Sequence, residues 1–519
     1  MSLPGSAGES LVFPSIDLWP GDAARGAVIV AGDFQCGGKT IRSADAPWLA
    51  AGVSESWVST VSTFEWLRDL RAAGGDAARM RGRQLLQRWI ETHGEQWRQS
   101  SWRPDVLGAR VANWIENGAF LISGADETFV ESMTASVRRQ AAHLRRTARF
   151  AAPGASRTRA FKGLIFSALA LRSEKSISTA LEMLEAQILR DVLADGGHVS
   201  RSPAVQLSLL WDLTDIRAAL LDARQEVPES VQTAIDRMAP MLRFFRHGDG
   251  GLALFNGSDE DEGWLIDVAL TRSEARGKPL DSAPHSGFER LTANRTLVLV
   301  DVGAPPPPGY DLDAHAGPLS FEMSSGKERL VVNCGAYRGD SQDWQLAQRT
   351  TAAHSTVTIE DHNAAEILPR GGIGKRPSPI RAERRDADGS IWLDAGHDGY
   401  QRHTGLIHRR RLYLSANGSD LRGEDSLTGK GNRKFVARFH LHPSVRASMV
   451  QQGSAVLLRL ASGEGWRFRA SGGVIALQES VYLGERDKVK RGEQIVVSSV
   501  TQNGDGQIKW AFSRLAKDG

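Results

Sequence analysis

The chain has 519 residues, which at roughly 150 residues per domain predicts two or three domains. Hydrophobic residues make up 41% and charged residues 24%, a globular balance that excludes a disordered or collagen-like chain. The formal net charge is +3, and the basic residues do not cluster into the segments that nucleic-acid binding needs. No apolar stretch is long enough for a membrane-spanning helix. We therefore expect a globular protein with no nucleic-acid partner and no membrane span.

The two cysteines, Cys36 and Cys334, are too few for a disulfide framework, so two free thiols are expected. The N-terminal segment has no basic stretch followed by an apolar one, so no signal peptide is predicted. If no export signal exists, the expected location is the cytoplasm. Arginine far exceeds lysine, and arginine binds carboxylate, sulfate and phosphate through its planar fork, although a GC-rich genome explains the same bias.

Residues 1–53 form an N-terminal extension in which one strand is predicted at residues 28–31, a segment that begins Val-Ile-Val. Residues 54–275 then carry apolar residues at helical spacing. Leu85, Trp89 and Ile90 belong to one such run, and comparable runs continue as far as Phe245. Short polar breaks separate them. Many helices joined by short loops predict a helical bundle or an α/α toroid for this domain.

Residues 285–519 change to a β pattern, and we place the domain boundary between residues 265 and 290. Short runs rich in β-branched residues recur, for example at residues 296–300, 329–332 and 355–359. Turn signals such as Asn417 followed by Gly418 separate later runs. This pattern predicts a large antiparallel β-sandwich, so the expected fold class is α+β multidomain.

The residues best able to carry chemistry lie near the start of the β half. Nine of the 13 histidines follow residue 280. The loop containing Asp313 and His315 leads into a Ser-Phe pair, a strand ends at Asn333, and His354 opens a later strand. Binding and catalytic residues accumulate on loops that a rigid scaffold brings together. We therefore expect His315 and His354 to lie side by side, with Asn333 next to them.

These segments resemble, in order and spacing, the C-terminal signature of the heparinase II/III family of polysaccharide lyases. In that family a His-x-His-x-Asp-like loop enters a Ser-Phe strand, a second strand ends in Asp-x-Gly, and Ala-His-Asn/Ser-Thr opens a third. The resemblance includes residues 397–400 and 423–425 and covers residues 285–440. It implies an incomplete N-terminal α/α toroid followed by a C-terminal antiparallel β-sandwich. It also implies an acidic polysaccharide as partner and a location in the periplasm or cell envelope.

The resemblance implies β-elimination at a uronic acid, which makes three chemical demands. The uronate carboxylate must be neutralised so that the C5 proton becomes acidic, a base must take that proton, and an acid must protonate the departing O4. The family's carboxylate-neutralising Asn or His falls near Gln206, after the segment 195–203. His198 and Arg201 lie in that segment, and the alternative interpretation is a helix start capped by Ser200 or Ser202.

Two positions of the family are occupied differently in this chain. The first loop histidine, a catalytic residue in the family, corresponds to Asp313, and the family's tyrosine base is absent because no tyrosine precedes Tyr310. The family's metal positions correspond to His315, Asn333 and His354. Since an amide carries no charge, we expect any metal there to be a weakly held structural zinc, with no other cofactor.

The first hypothesis is a lyase that cleaves an acidic, uronate-containing polysaccharide. Its predicted catalytic residues are Gln206 and Arg201 for the carboxylate and His198, His247 or Tyr337 for proton transfer, and its predicted substrate-binding residues are Asp313 and Tyr400. Ligand sites favour domain interfaces, so the group around Gln206 is expected to share a cleft with His315 and Asp313.

Two other classes of protein are compatible with the sequence. One is a catalytically impaired carbohydrate-binding or exopolysaccharide-assembly protein that kept the fold, which the missing tyrosine and Asp313 favour. The other is a glycoside hydrolase, which needs two carboxylates flanking the bond, with Asp249 and Asp313 as candidates. The acidic run at 259–262 is typical of a solvated surface. The sequence predicts no oligomeric state.

Overall fold

The computed structural model describes residues 11–13, 17, 19–36, 39–42, 45–96, 98–339, 341–486 and 488–516. The chain divides into two compact units. The first contains Met1–Asp191 and Ser208–Ile235, and the second contains Val192–Leu207 and Asp236–Gly519. The second unit therefore includes helical segments as well as all the strands after residue 280, and the domain boundaries drawn from the sequence stay a prediction.

The first half of the chain is helical, as the apolar spacing predicts. In the described residues its α-helices and its strands are α1 (Ala23–Val30), β1 (Asp33–Cys36), β2 (Lys39–Arg42), α2 (Glu55–Val61), α3 (Leu67–Ala73), α4 (Gly75–His93), α5 (Gln99–Trp102), α6 (Pro104–Glu116), α7 (Gly118–Ile122), α8 (Glu127–Thr147), α9 (Ala155–Ala170), α10 (Glu174–Asp191), α11 (Pro203–Asp222), α12 (Glu229–Phe244) and α13 (Gly263–Ser273).

The strand predicted at residues 28–31 is wrong, because residues 28–30 belong to α1 and Ala31 is the C-cap of that helix. The Asp22 side chain accepts hydrogen bonds from the backbone N–H groups of Ala24 and Arg25, at 2.8 and 3.1 Å, and so caps the helix. Gly26 packs against the backbone of Asp69, where a side chain would collide. Capping and close helix packing outweigh the β preference of the short Val-Ile-Val run.

Within the first unit, α6 and α9 pack with their backbones in contact. A Cβ atom on Gly163 would lie 2.4 Å from the Cα of Gly108. Most of both helices is buried, including Leu107 and Val111 on α6 and Ile165 on α9. Two glycines facing each other therefore allow a closer approach of these helices than side chains would permit.

The second half is built from antiparallel strands joined by short turns. Its elements are β3 (Ser282–Ala283), β4 (Phe288–Ala293), β5 (Thr296–Asp301), β6 (Phe321–Ser325), β7 (Glu328–Val332), α14 (Gln342–Ala347), β8 (Val357–Ile359), β9 (Pro379–Ala387), β10 (Ser390–His397), α15 (Gln401–Thr404), β11 (Ile407–Leu414), β12 (Asp420–Thr428), β13 (Lys434–Leu441), β14 (Arg446–Val450), β15 (Ala455–Arg459), β16 (Gly465–Ser471), β17 (Val474–Tyr482), β18 (Lys490–Val500) and β19 (Gly506–Arg514).

These strands form two sheets that pack face to face. One sheet has the order β14-β15-β16-β19-β12-β11-β10-β9, and the other has the order β17-β18-β13-β7-β6-β5-β4-β3, with β8 paired to β13. Their inner faces share one hydrophobic core, in which Phe321 of the second sheet stacks on Trp510 of the first at 5.4 Å. This arrangement is the predicted antiparallel β-sandwich. The loops that enter β6 and β8 carry His315 and His354.

Candidate functional site

His315 and His354 lie side by side, as the sequence predicts. Nδ1 of His315 is 2.9 Å from Nε2 of His354, and Nδ1 of His354 is 2.7 Å from the carbonyl oxygen of Thr350. The backbone N–H of Gly257 donates to Nε2 of His315 at 3.1 Å. Because a carbonyl only accepts and a backbone N–H only donates, both imidazoles must carry their proton on Nδ1. All four ring nitrogens are then used in one directed chain of hydrogen bonds.

Burial keeps this histidine pair neutral. Both side chains are buried, and burial lowers the pKa of His354 to about 4. Burial also lowers the pKa of His315 well below its usual value, and the neighbouring His354 and Arg349 lower it further. At neutral pH neither ring has a charge or a free lone pair. The pair therefore orients two loops and, in this arrangement, is unable to accept a proton from a substrate.

Asn333 precedes the buried Cys334 just after the end of β7, and its side chain is hydrogen-bonded to groups other than the two imidazoles. Its Oδ1 accepts the backbone N–H of Ser355 at 3.0 Å, and its Nδ2 donates to Oε1 of Glu322 at 3.2 Å. Within the described parts of the chain, no group of three or more His, Cys, Asp or Glu side chains could hold a metal ion. The residues predicted as zinc ligands thus do not fit a metal in this geometry, because each candidate ligand atom already has a hydrogen-bond partner.

Gln206, predicted to meet a substrate carboxylate, has a side-chain amide that is hydrogen-bonded inside the protein, and that role stays a prediction. Gln206 is fully buried, and its Nε2 donates to the carbonyl oxygens of Gly196 and Met238 at 2.8 and 3.1 Å. Its Oε1 accepts the backbone N–H of His198 at 2.7 Å. Both amide hydrogens are therefore used to fix the loop before α11, and none is left for a ligand.

The other two residues of this segment are also held internally. Arg201 donates to the carbonyl oxygens of Ser286, Ala304 and Gly287 at 2.6 to 3.0 Å and forms a buried ion pair with Asp301. All three nitrogens of this guanidinium thus donate within the protein, and its role in holding a substrate carboxylate stays a prediction. His198 is buried as well, with Nδ1 accepting the N–H of Ser200 at 3.0 Å.

Asn256, which the sequence analysis missed, joins the Arg201 loop to the histidine pair. Its Nδ2 donates to the carbonyl oxygen of Arg201 at 3.0 Å, and its Oδ1 accepts the backbone N–H of His315 at 3.1 Å. The next residue, Gly257, has φ +73, and a side chain there would lie 2.8 Å from Cβ of Asp313. The Asn-Gly pair, a known turn signal, is the sequence feature that could have indicated this junction.

His247 was predicted to transfer protons, and the structure gives it a buried position instead. Its Nε2 is 3.0 Å from Oε2 of Glu322, and its Nδ1 is 3.0 Å from Oγ of Ser324. Its side chain is fully buried, and burial together with the nearby Arg329 lowers the pKa of this histidine. In this structure the His247 side chain has no exposed surface with which to contact a polysaccharide, and its role in proton transfer stays a prediction.

The two tyrosines and the aspartate predicted from the sequence differ in exposure. Tyr400 is fully buried, its hydroxyl donates to the carbonyl oxygen of Val357 at 2.6 Å, and its substrate-binding role stays a prediction. Burial also raises the pKa of Tyr400. Asp313 is exposed and Tyr337 is half-buried, with the Tyr337 ring centroid 6.1 Å from that of Trp344. Asp313 and Tyr337 are therefore the two of these residues that a ligand could reach.

Arg338 is a second residue that the sequence analysis missed, and it is held by part of the acidic run. Its Nε donates to Oδ2 of Asp259 at 2.8 Å, and its Nη2 donates to the carbonyl oxygen of Gly257 at 3.3 Å. Asp259 is fully buried, so the interpretation of this run as solvated is wrong at that residue. The Arg338 side chain is 42% exposed. We call Tyr337, Arg338 and Trp344 the rim, a cationic and aromatic surface beside the histidine pair.

Comparison with known proteins agrees with this fold. Residues 275–511 match the family model described as heparinase II/III-like, C-terminal. The crystal structure of heparinase III superposes with a TM-score of 0.79 at 11% identity, covering 98% of this chain and 87% of that one. The heparan sulfate lyase from Pedobacter heparinus superposes with a TM-score of 0.65 at 16% identity, covering 98% and 86%. Both neighbours share the α/α toroid followed by a β-sandwich, which confirms the predicted fold class.

The chain belongs to the heparinase II/III-like family, as the resemblance predicts. The family is that of polysaccharide lyases. A curated relative, FtsZ-localized protein C of Caulobacter vibrioides, is 34% identical over 529 residues, which cover 98% of this chain and 90% of the relative. That relative bears the name of a localisation and not of a cleavage reaction. No helix in the described residues is long and apolar enough to cross a membrane.

Proposed function

We propose that this chain binds an acidic, uronate-containing polysaccharide at the loops around His315 and leaves it uncleaved. The main observation in support is that the groups matched to the family's reaction are hydrogen-bonded inside the protein. The Gln206 amide donates to two carbonyl oxygens, and the His315 and His354 rings form a directed chain of hydrogen bonds that leaves no ring nitrogen free. The fold is thus kept while the groups that would act on a substrate have become structural.

Two of the three chemical demands of β-elimination favour binding without cleavage. Neutralising the uronate needs a free donor, yet both hydrogens of the Gln206 amide are taken. Removing the C5 proton needs a base, yet the buried rings of His315 and His354 have no free lone pair. To reach a substrate, these buried groups would have to break their present hydrogen bonds. Each buried partner left unsatisfied would cost roughly 1–3 kcal/mol.

The rim offers what binding needs. Arg338 is exposed, and its orientation is fixed by the buried Asp259 carboxylate on one side and a backbone carbonyl on the other. A fixed guanidinium suits a uronate carboxylate or a sulfate, because its donors match the spacing of two oxygens. The neighbouring rings of Tyr337 and Trp344 provide apolar faces against which a sugar ring can pack.

We also propose a periplasmic or cell-envelope location, since acidic polysaccharides are found there.

One contact favours elimination as a second candidate function. The ring of Tyr310, the first tyrosine of the chain, lies edge-on to the buried His198 ring, with centroids 6.1 Å apart. Tyr310 is half-buried, so unlike His198 it is accessible. If this chain does cleave, Tyr310 is the residue best placed to replace the family's base.

Binding and cleavage can be measured on the same purified protein. A panel of acidic polysaccharides is incubated with it, and the ultraviolet absorbance of unsaturated uronate is followed while affinity is measured by calorimetry. We expect binding without an absorbance increase, and Arg338→Ala should weaken binding about tenfold through loss of a charge-assisted hydrogen bond. Arg402→Ala, an exposed arginine on α15, is the matched control and should bind as the unmutated protein does.

An absorbance increase that disappears in Tyr310→Phe would replace the binding proposal with the lyase. Failure of every acidic polysaccharide to bind would contradict both candidate functions.

A further inference from the structure

The sheet that runs from β14 to β9 carries, on its outward face, a groove of about 470 Å³. This groove is not part of the site around His315. Five adjacent strands line it, in the order β10, β11, β12, β19 and β16. Along each strand the residues alternate between the buried core and the outer face, so Leu412 and Trp510 point inward while Arg411 and Lys509 point outward. The groove therefore lies on the solvent side of the sandwich.

The strand registers place one continuous row of side chains across this face. Trp392 pairs with Tyr413, Tyr413 with Arg422, Arg422 with Ala511, and Ala511 with Arg469. Neighbouring strands are about 4.8 Å apart, so the row spans roughly 19 Å from first to last residue. We call these five residues the cross-strand row. Ala511 is the small residue between two arginines, and its small size opens the groove there.

One end of the row is an exposed aromatic platform. Trp392 is 40% exposed, and its ring centroid is 5.1 Å from that of Tyr413. The Arg422 guanidinium lies 5.7 Å from the Tyr413 centroid, which continues the platform with a cation. An exposed indole on the face of a strand contributes nothing to the core. Its flat apolar face is the kind of surface that packs against the C–H face of a sugar ring.

The charge of the row differs from that of its neighbour. In the adjacent row, Asp394 pairs with Arg411 and Glu424 with Lys509 in the strand register, so the signs alternate. Arg411 is within 3.1 and 3.2 Å of Asp394 and Glu424. The cross-strand row contains two arginines and no acid. Arg422 also pairs with Asp420, two residues earlier on β12, at 2.5 Å, but 67% of its side chain remains exposed. Arg422 and Arg469, two strands apart, can therefore still meet two separate anionic groups.

We propose that the cross-strand row is a second binding surface for a linear anionic polysaccharide, separate from the rim. A polyuronate offers sugar faces to Trp392 and Tyr413 and carboxylates at repeated intervals to Arg422 and Arg469. The acidic side chains of the adjacent row accept hydrogen bonds from sugar hydroxyls at the groove edge. The proposal rests on the acidic polysaccharide named as the partner of the rim, and it extends that interaction to a second surface.

The test uses the full-length protein with polygalacturonate as the probe, measured by calorimetry. We expect the double variant Arg422→Ala with Arg469→Ala to bind about tenfold or more weakly, because two charge-assisted contacts are lost. Ala511→Glu, which fills the groove with a carboxylate, should weaken binding similarly. Arg459→Ala is the matched control, since Arg459 is exposed on β15 of the same sheet, outside both rows, and should leave affinity unchanged. All these side chains lie on the outer face, so thermal unfolding should show folded proteins.

The outcomes separate this proposal from that for the rim. If the variants of the row bind like the unmutated protein while Arg338→Ala binds weakly, the proposal that the row binds polysaccharide is overturned and the proposal for the rim is supported. If the row variants lose affinity and Arg338→Ala does not, the row stands and the rim is overturned. Equal affinity for neutral dextran, or binding through the row to anionic phospholipid vesicles and not to polygalacturonate, would overturn the proposal for the row.

Discussion

Replacing Arg410 with methionine is expected to lower the free energy of unfolding by roughly 3–5 kcal/mol, because it leaves a buried carboxylate without its counter-ion. Arg410 is fully buried and binds both carboxylate oxygens of Asp425, at 2.7 and 3.0 Å. Its Nη1 also donates to the carbonyl oxygens of Leu319 and Ser355, at 2.8 and 2.9 Å. It therefore ties together the segments that follow His315 and His354, and chemical denaturation followed by circular dichroism measures the loss.

Arg411 provides the matched control on the same strand. Its side chain is 50% exposed and pairs with Asp394 and Glu424 on the outer face of the sheet. Arg411→Met should change the free energy of unfolding by less than about 1 kcal/mol, since exposed ion pairs contribute little. Equal losses in the free energy of unfolding for the two variants would show that the buried Arg410–Asp425 pair does not stabilise the sandwich more than an exposed pair does.

Lowering the pH from about 6.5 to about 4 is expected to destabilise the protein steadily. Burial lowers the pKa of His354 to about 4 and the pKa of His440 to about 3. Between those values and the ordinary histidine value of 6.5, the unfolded chain binds protons that the folded protein excludes. Each such histidine then contributes up to about 1.4 kcal/mol of lost stability per pH unit. Urea denaturation at a series of pH values measures this slope.

The variant His440→Asn removes one of these groups and should reduce the slope below pH 6.5. A free energy of unfolding that is independent of pH between 6.5 and 4 would contradict the neutral, buried state assigned to these rings.

The sequence predicts the layers of the fold well because each layer has a periodic apolar pattern. Helical spacing at Leu85 and Trp89 and β-branched runs such as residues 296–300 match helices and strands of the structure. The approach of His315 to His354 could also be predicted, since both lie just before strands of the same sheet. Local patterns thus determine where side chains lie along the fold.

What these side chains do could not be predicted from the same patterns. The role of Gln206 depends on carbonyl oxygens of Gly196 and Met238, and the second of these is 32 residues away in the chain. The cross-strand row depends on β19 lying between β12 and β16, an order that no local pattern specifies. Hydrogen-bond partners supplied by distant segments decide whether a polar group is free to meet a ligand.

The directed chain of hydrogen bonds through His315 and His354 keeps both rings neutral and without a free lone pair. Nitrogen-15 NMR of histidine-labelled protein reports the tautomer and protonation of each ring, and assignment uses the variants His315→Gln and His354→Gln. We predict two neutral rings protonated on Nδ1 that stay unchanged from neutral pH to about pH 5 and on addition of zinc. A ring of this pair that takes up a proton near pH 6.5, or that shifts on binding stoichiometric zinc, would contradict the account.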